Sequence, residues 1–324
     1  MRAISCIEHG TPDTLQLTEL PTPEPGPGEV RIAVRACGVN FPDILMIAGR
    51  YQIQPELPFT PGAELAGVVD AIGDGVSGVQ IGQRVLALSG HGAMAEQVCV
   101  AAGRVLPIPD EMNFDIAAGF LLTYSTSWHA LKQRAQIQAG ETLLVLGAAG
   151  GVGLTAVELG NVAGATVIAA ASTNEKLQLA KQYGASHGIN YSEESLQERV
   201  KEITAGKGVD VIYDPVGGEL FDQCLRSIAW KGRILVIGFA SGLIQKIPAN
   251  LPLLKGSSVV GVFWGRFAES EPAAQAANIA ELLEHFAAGK LRPYVSKVFS
   301  LAEASAAFNY LAERKATGKV IVRL

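Results

Sequence analysis

Cysteine, histidine, aromatic residues and charge are all scarce in this chain, and so are long apolar runs. Its 324 residues hold four cysteines, Cys6, Cys37, Cys99 and Cys224, with no Cys-x-x-Cys pair. That spacing excludes a disulfide framework and a cysteine-ligated zinc cluster, and four free thiols suit a reducing, cytoplasmic compartment. The five histidines (His9, His91, His129, His187, His285) show no metal-ligand spacing. No stretch reaches the about 18 uncharged apolar residues of a membrane span, and the opening MRAISCIEHG lacks the apolar run of a secretory signal. Lys and Arg number 26 against 31 Asp and Glu, a formal net charge of −5. That balance, without interleaved basic and aromatic residues, argues against a nucleic-acid partner. No Gly-x-x-x-x-Gly-Lys-Ser/Thr occurs, so a P-loop is excluded.

What the chain has in excess is glycine, 36 residues against a usual share of about 7%. Glycines at this density imply many tight turns and close backbone approaches. Hydrophobic residues make up 48%, enough for a sizeable core, and the length favours two domains. In the first 120 residues, Val30, Ile32, Val34 and Ala36 alternate as a half-buried strand does. Leu65–Asp70 and Arg84–Leu88 read as further strands between glycine turns. Beyond about residue 114 the pattern becomes non-alternating apolar strands at 143–146, 167–170, 209–213, 233–237 and 258–262. With the short strand near Ile189 and helices between, that describes a parallel sheet covered on both faces. Two helices, Ile279–Ala288 and Ala302–Glu313, and a last strand, Lys319–Arg323, close the chain. The expected fold is α/β: a β-rich domain from 1–120 and 280–324 around a doubly wound parallel-sheet domain, 121–279.

Leu143–Leu146 ends in Gly147-Ala-Ala-Gly-Gly-Val-Gly153, and apolar residues at helical spacing follow. A tight strand-to-helix turn would look the same, but in this context Gly150, Gly151 and Val152 suit a pyrophosphate at a helix N-terminus, as in a dinucleotide site. An NAD site carries an acid at the tip of the second strand to bond the adenosine ribose. Here that tip reads Ala169-Ala-Ala-Ser-Thr173. Ser172 can bond a 2′-phosphate, and Lys176 either neutralises it or is a solvated helix lysine. Tyr191 can offer its hydroxyl or stack on adenine. The missing carboxylate points to NADPH. Gly238-Phe239-Ala240-Ser241 and Phe263-Trp264 follow two more strands, where the cofactor crevice of such a sheet lies, though core packing is the plainer role for Trp264.

Taken together, Gly38–Asp43, Gly49–Tyr51, Leu57–Glu64, Ala148–Gly153, Asp214–Gly218, Gly261–Gly265 and Thr317–Val320 resemble the medium-chain dehydrogenase/reductase superfamily. The likeness is to its zinc-free NADPH:quinone oxidoreductase (ζ-crystallin-like) branch and runs the length of the chain. It implies a GroES-like catalytic domain split around a Rossmann domain, with the active site in the cleft between them, and a homodimer through the edge strand Val259–Phe263. Metal-dependent members have a cysteine where this chain has Asn40 and a histidine where it has Ala63, so no metal is expected. The resemblance places Asn40, Tyr51 and Thr126 around the nicotinamide and substrate. It makes Tyr51 either the group on the acceptor oxygen or a packed aromatic, and Lys315 either a neighbour of the 2′-phosphate or a solvated lysine.

Without a Lewis acid, the reaction expected is hydride transfer to an already electrophilic small molecule, a quinone or an α,β-unsaturated carbonyl. An enoyl-CoA reductase is the neighbouring alternative, and a low-turnover NADPH-binding structural or sensor protein is the alternative from another class.

Overall fold

A computed structural model describes residues 1–324 as two compact units, Met1–Leu122 with Pro293–Leu324, and Thr123–Arg292. The first stretch carries β1 (Arg2–Ser5), β2 (Gln16–Glu19), β3 (Glu29–Val39), β4 (Glu64–Ile72), β5 (Arg84–Leu88), β6 (Gln97–Ala101) and β7 (Val105–Pro107). The second unit carries β8 (Thr142–Leu146), β9 (Thr166–Ala171), β10 (His187–Asn190), β11 (Val209–Asp214), β12 (Ile228–Val236) and β13 (Ser258–Gly261). The chain then returns to the first unit with β14 (Val295–Ser300) and β15 (Lys319–Arg323).

In the first unit the main sheet runs β14-β15-β3-β4-β5-β7, with β6 also paired to β3. The alternation read at 30–36 places Val30, Ile32, Val34 and Ala36 on the buried face. Behind them lies a core that includes Leu65, Val85, Met94, Phe308 and Val322. The last strand joins this sheet, antiparallel to β3 through Val320–Arg323 against Val39–Ala36.

In the second unit six strands run in the order β10-β9-β8-β11-β12-β13, and every neighbouring pair is parallel. This is the order of a doubly wound dinucleotide fold, and its direction reverses between β8 and β11. Leu143–Leu146 and Val167–Ala170 are fully buried, as strands covered on both faces must be.

The last helix of this unit starts at Pro272 and runs to Ala287, seven residues before the Ile279 at which its apolar period becomes visible. Its opening Pro-Ala-Ala-Gln-Ala-Ala forms helix readily but carries no amphipathic signal. The helix is held inside the unit by paired amides: Gln133 Nε2 donates to Asn278 Oδ1 (2.9 Å), and Asn278 Nδ2 donates back to Gln133 Oε1 (3.1 Å). Gln275 adds a bond to Ser125 Oγ (3.3 Å). The units therefore divide at Leu122/Thr123 and Arg292/Pro293, with the return to the first unit later than the expected residue 280.

Candidate active site

Within the second unit, the cofactor candidates sit at the carboxyl ends of the parallel strands. After β8 the chain turns at Gly147 (φ 57°) and enters a helix, Gly151–Val162, whose N-cap is Gly150. No side chain caps this helix and no acid stands in its first turn, so its leading amides keep donors that an anion can take. Gly153 is required by packing: a Cβ there would lie 2.1 Å from the Gly147 carbonyl oxygen. An uncapped helix start behind a loop of alanine and glycine fits a pyrophosphate.

At the next two strand ends, Lys176 Nζ donates to Ser172 Oγ (3.3 Å), and the Tyr191 amide bonds Ala171 O (3.2 Å). No carboxylate stands on β9's last residue, Ala171, which is buried. Glu175 lies instead in the first turn of the following helix, capped by Thr173. The three candidates for the adenosine end are thus side by side on one rim.

Beyond β11, Asp214 organises the rest of that rim. Its Oδ1 accepts the amides of Val216 and Gly217 (2.8 Å each), and its carbonyl accepts the Ile237 amide (2.9 Å). Ala240 and Ser241 donate back to Pro215 O and Val216 O. The Gly238–Ser241 loop is therefore stitched to the turn 214–218, and that turn meets Gly147 at the β8/β11 switch point, where an added Cβ would touch Val216. Burial raises the Asp214 carboxyl above the usual range. In the sequence Asp214 stands only as the first residue of the motif Asp214–Gly218; an acid closing an apolar strand before Pro-Val-Gly-Gly is the signal for such an anchor.

After β13, Phe263 is exposed, and the half-buried Trp264 indole donates to Gln275 Oε1 (3.0 Å). Thr126 is half-buried in the helix Leu121–His129, between Ser125 and Ser127, whose hydroxyls bond inward. Lys315 belongs to the first unit, is exposed, and pairs with Glu313 at 2.5 Å.

The first unit holds the other candidates. Asn40 is the buried N-cap of the helix Phe41–Ile47, and it forms a capping box with Asp43. Its amide turns inward: Nδ2 donates to Gly38 O and Glu64 Oε2 (3.2 Å each), and Oδ1 accepts from Lys319 Nζ (2.7 Å). Lys319 also donates to Glu64 Oε2 (3.0 Å) and Val39 O (3.3 Å), and Glu64 Oε1 accepts the Leu122 amide (2.8 Å). Gly119 makes room for the lysine stem, since a Cβ there would lie 3.0 Å from Lys319 Cε.

Tyr51 is half-buried against the same core. Burial and then the charge of Asp43 push its phenol upward, so it stays a protonated donor. Burial likewise lifts Asp43 to about 7. The donor set does not fit zinc: a carboxamide, an alanine and an ammonium occupy the ligand region, and no group of three His, Cys, Asp or Glu side chains converges. The Glu64–Lys319 pair is not visible in the sequence as a pair, although both residues lie in the motifs Leu57–Glu64 and Thr317–Val320. The available signal was a lysine opening the apolar strand Lys-Val-Ile-Val, which needs a buried anion.

Comparison with known proteins follows this division. The alcohol dehydrogenase GroES-like domain matches residues 26–110, and the zinc-binding dehydrogenase family matches residues 151–280. Over its whole length the chain is 43% identical to quinone oxidoreductase-like protein 2 of Rattus norvegicus, covering 92% of that protein. It is 35% identical to quinone oxidoreductase of Pseudomonas aeruginosa, with 99% of each chain covered. The crystal structure of Escherichia coli quinone oxidoreductase complexed with NADPH superposes with a TM-score of 0.94 at 30% identity, with 100% of both chains covered. The chain belongs to the quinone oxidoreductase (ζ-crystallin-like) branch of the medium-chain dehydrogenase/reductase superfamily.

Proposed function

We propose that this protein is an NADPH-dependent reductase that passes hydride to a quinone or an α,β-unsaturated carbonyl without a metal. The observation that carries the reading is the rim at β8 and β9: an uncapped helix start beside a Ser172–Lys176 pair, with no carboxylate on Ala171. Gly150, Gly151 and Val152 would hold the pyrophosphate, and Ser172, Lys176 and Tyr191 the phosphorylated ribose and adenine. The loops at 238–241 and 263–264, with Thr126, would line the nicotinamide end. The dinucleotide supplies the hydride.

The acceptor class follows from what the first unit offers. All three Lys319 donors are taken and the Asn40 amide is spent on its neighbours, so neither side chain has a donor to spare for an alcohol. Tyr51, half-buried and protonated, is the donor for an acceptor oxygen that becomes negative as hydride arrives. Asn40 serves by holding the helix that leads to Tyr51. Acceptors already polarised by conjugation need no more than this.

The unpaired outer edge of β13, with Leu253 and Leu254 exposed just before it in sequence and Trp230 exposed on the neighbouring β12, supports a second copy of the chain as partner. Four unpaired cysteines support a reducing, cytoplasmic setting, and no helix is long and apolar enough to cross a membrane.

The test is NADPH oxidation by purified protein with quinones, enones and enoyl-CoA esters, before and after exhaustive chelation. Quinones or enones should be reduced equally well after chelation; turnover of enoyl-CoA alone would move the assignment to a thioester reductase. NADPH should bind at least about tenfold more tightly than NADH, roughly 1.4 kcal/mol. Ala171→Asp should reverse that preference, and equal affinities in the parent protein would refute the cofactor reading.

A further inference from the structure

Lys319 is a cation buried to 6% exposure at the start of an apolar strand, and its use is fully accounted for. An ammonium has three donors and no acceptor. Here all three are directed at Val39 O, Asn40 Oδ1 and Glu64 Oε2, within 3.3 Å. Nothing remains for a substrate. Burying a charge is costly unless its partners are well placed, and plain packing would be served as well by methionine. The geometry of the partners shows what the charge organises.

Two of the three acceptors flank the start of the helix Phe41–Ile47, at Val39 and at its cap, Asn40. The third, Glu64, reaches from β4 and also takes the Asn40 Nδ2 proton and the Leu122 amide. Asp43 closes the cap by accepting the Asn40 amide at 2.9 Å. From that fixed start the helix runs to Ile47. The next three amides, of Ala48, Gly49 and Arg50, all bond back onto helix carbonyls at 2.8–3.0 Å. The following residue is Tyr51. Bonded backbone therefore runs from the cap to Arg50, one residue short of the phenol's own residue.

We propose that Lys319 is a positioning residue of the reductase: its ammonium clamps Asn40 to Glu64, fixing the helix start from which Tyr51 is aimed. It does so beside the positions, 40 and 63, from which metal-dependent members of the superfamily ligate zinc, so that a fixed positive charge ties together chain segments that a metal ion would otherwise tie. The proposal rests on the assignment of Tyr51 to the acceptor.

Two variants test it. Asn40→Ala keeps the Lys319–Glu64 pair, so no buried charge is orphaned, but removes the cap side chain from the cation and leaves it only the longer bond to Val39 O at the helix start. Lys319→Met with Glu64→Gln removes both charges together and nearly keeps their shape. For each, the NADPH dissociation constant, kcat and KM for phenanthrenequinone, and hydrogen exchange of segment 41–51 are measured. NADPH affinity should stay within about twofold, while kcat for the quinone falls about tenfold to a hundredfold, the scale of a displaced reacting group. Exchange in 41–51 should quicken, and peptides of the unit 123–292 should not change. Wild-type kcat and KM in Asn40→Ala, or unchanged exchange in 41–51, overturns the proposal, and Asn40→Ala decides alone if the double variant fails to fold. Faster exchange in a protein that reduces no quinone or enone at all would instead refute the reductase assignment and leave the clamp standing.

Discussion

In the unit 123–292 the groups offered to a dinucleotide are main-chain amides, small side chains and strand ends, whereas the candidate residues of the other unit stand on buried ionisable side chains. The first arrangement is written in backbone geometry and, at Gly153, has no room for an added atom. The second is written in the matching of donors to acceptors and tolerates changes of shape better than changes of charge. Substitutions should therefore fail for different reasons in the two units.

The largest effect is expected at Gly153. Valine there would press carbon against the Gly147 carbonyl at about 2.1 Å, forcing the loop and helix apart. Loss of NADPH binding in a fluorescence titration, with several kcal/mol of lost stability, is the expected result. Retained binding would show that the loop yields and the comparison is drawn too sharply. Asp214→Ala comes next, because it strands the buried amides of Val216 and Gly217 at about 1–3 kcal/mol each. It should weaken NADPH binding about tenfold or more, with Asp214→Asn rescuing most of the loss because an amide oxygen still accepts both bonds. No difference between alanine and asparagine would reduce Asp214 to a space filler.

In the other unit, Tyr51→Phe keeps the ring and removes one hydroxyl. A lost hydrogen bond to a neutral acceptor is worth about 0.5–1.5 kcal/mol, so quinone turnover should fall roughly two- to tenfold while NADPH affinity holds. A variant dead towards every quinone would make Tyr51 an obligatory acid. A further effect in this unit is a pH dependence of stability. Burial lifts Asp43 to about 7 in the folded state, against about 3.9 when unfolded. The neutral form is thus favoured on folding. That contribution is complete below about pH 4 and is lost as pH rises through about 7. Asp43→Asn, which cannot ionise, should gain in melting temperature relative to the parent between pH 5 and pH 8. A difference that is flat with pH would mean that Asp43 stays ionised throughout, held by Lys319.

The same contrast explains what could be read from the sequence. The strands β5 and β15 were legible to the residue, because alternation and flanking turns bound them closely. The glycine loop was legible because its chemistry is local, lying within a few residues of the strand it follows. The short pair β1 and β2 was missed: β2 is largely exposed, and neither strand carries a long enough period. Glu64 and Lys319 were visible as members of motifs and invisible as partners, since 255 residues separate them. The inward turn of the Asn40 amide was illegible for the same reason, as two of its three partners are those residues.

The return of the chain at Pro293 has a consequence for how the protein is made. A ribosome adding about 5–20 residues per second leaves Glu64 waiting roughly 10–50 s for Lys319. In that interval the whole of 123–292 emerges as one uninterrupted stretch and can complete its sheet. The first unit cannot, because β15 fills the place between β14 and β3. Until it arrives, the nascent chain carries an open strand edge at Ala36–Val39 and a carboxylate inside an unfinished core, the kind of edge to which other chains add. A strand made near residue 320 therefore seals an edge made near residue 37.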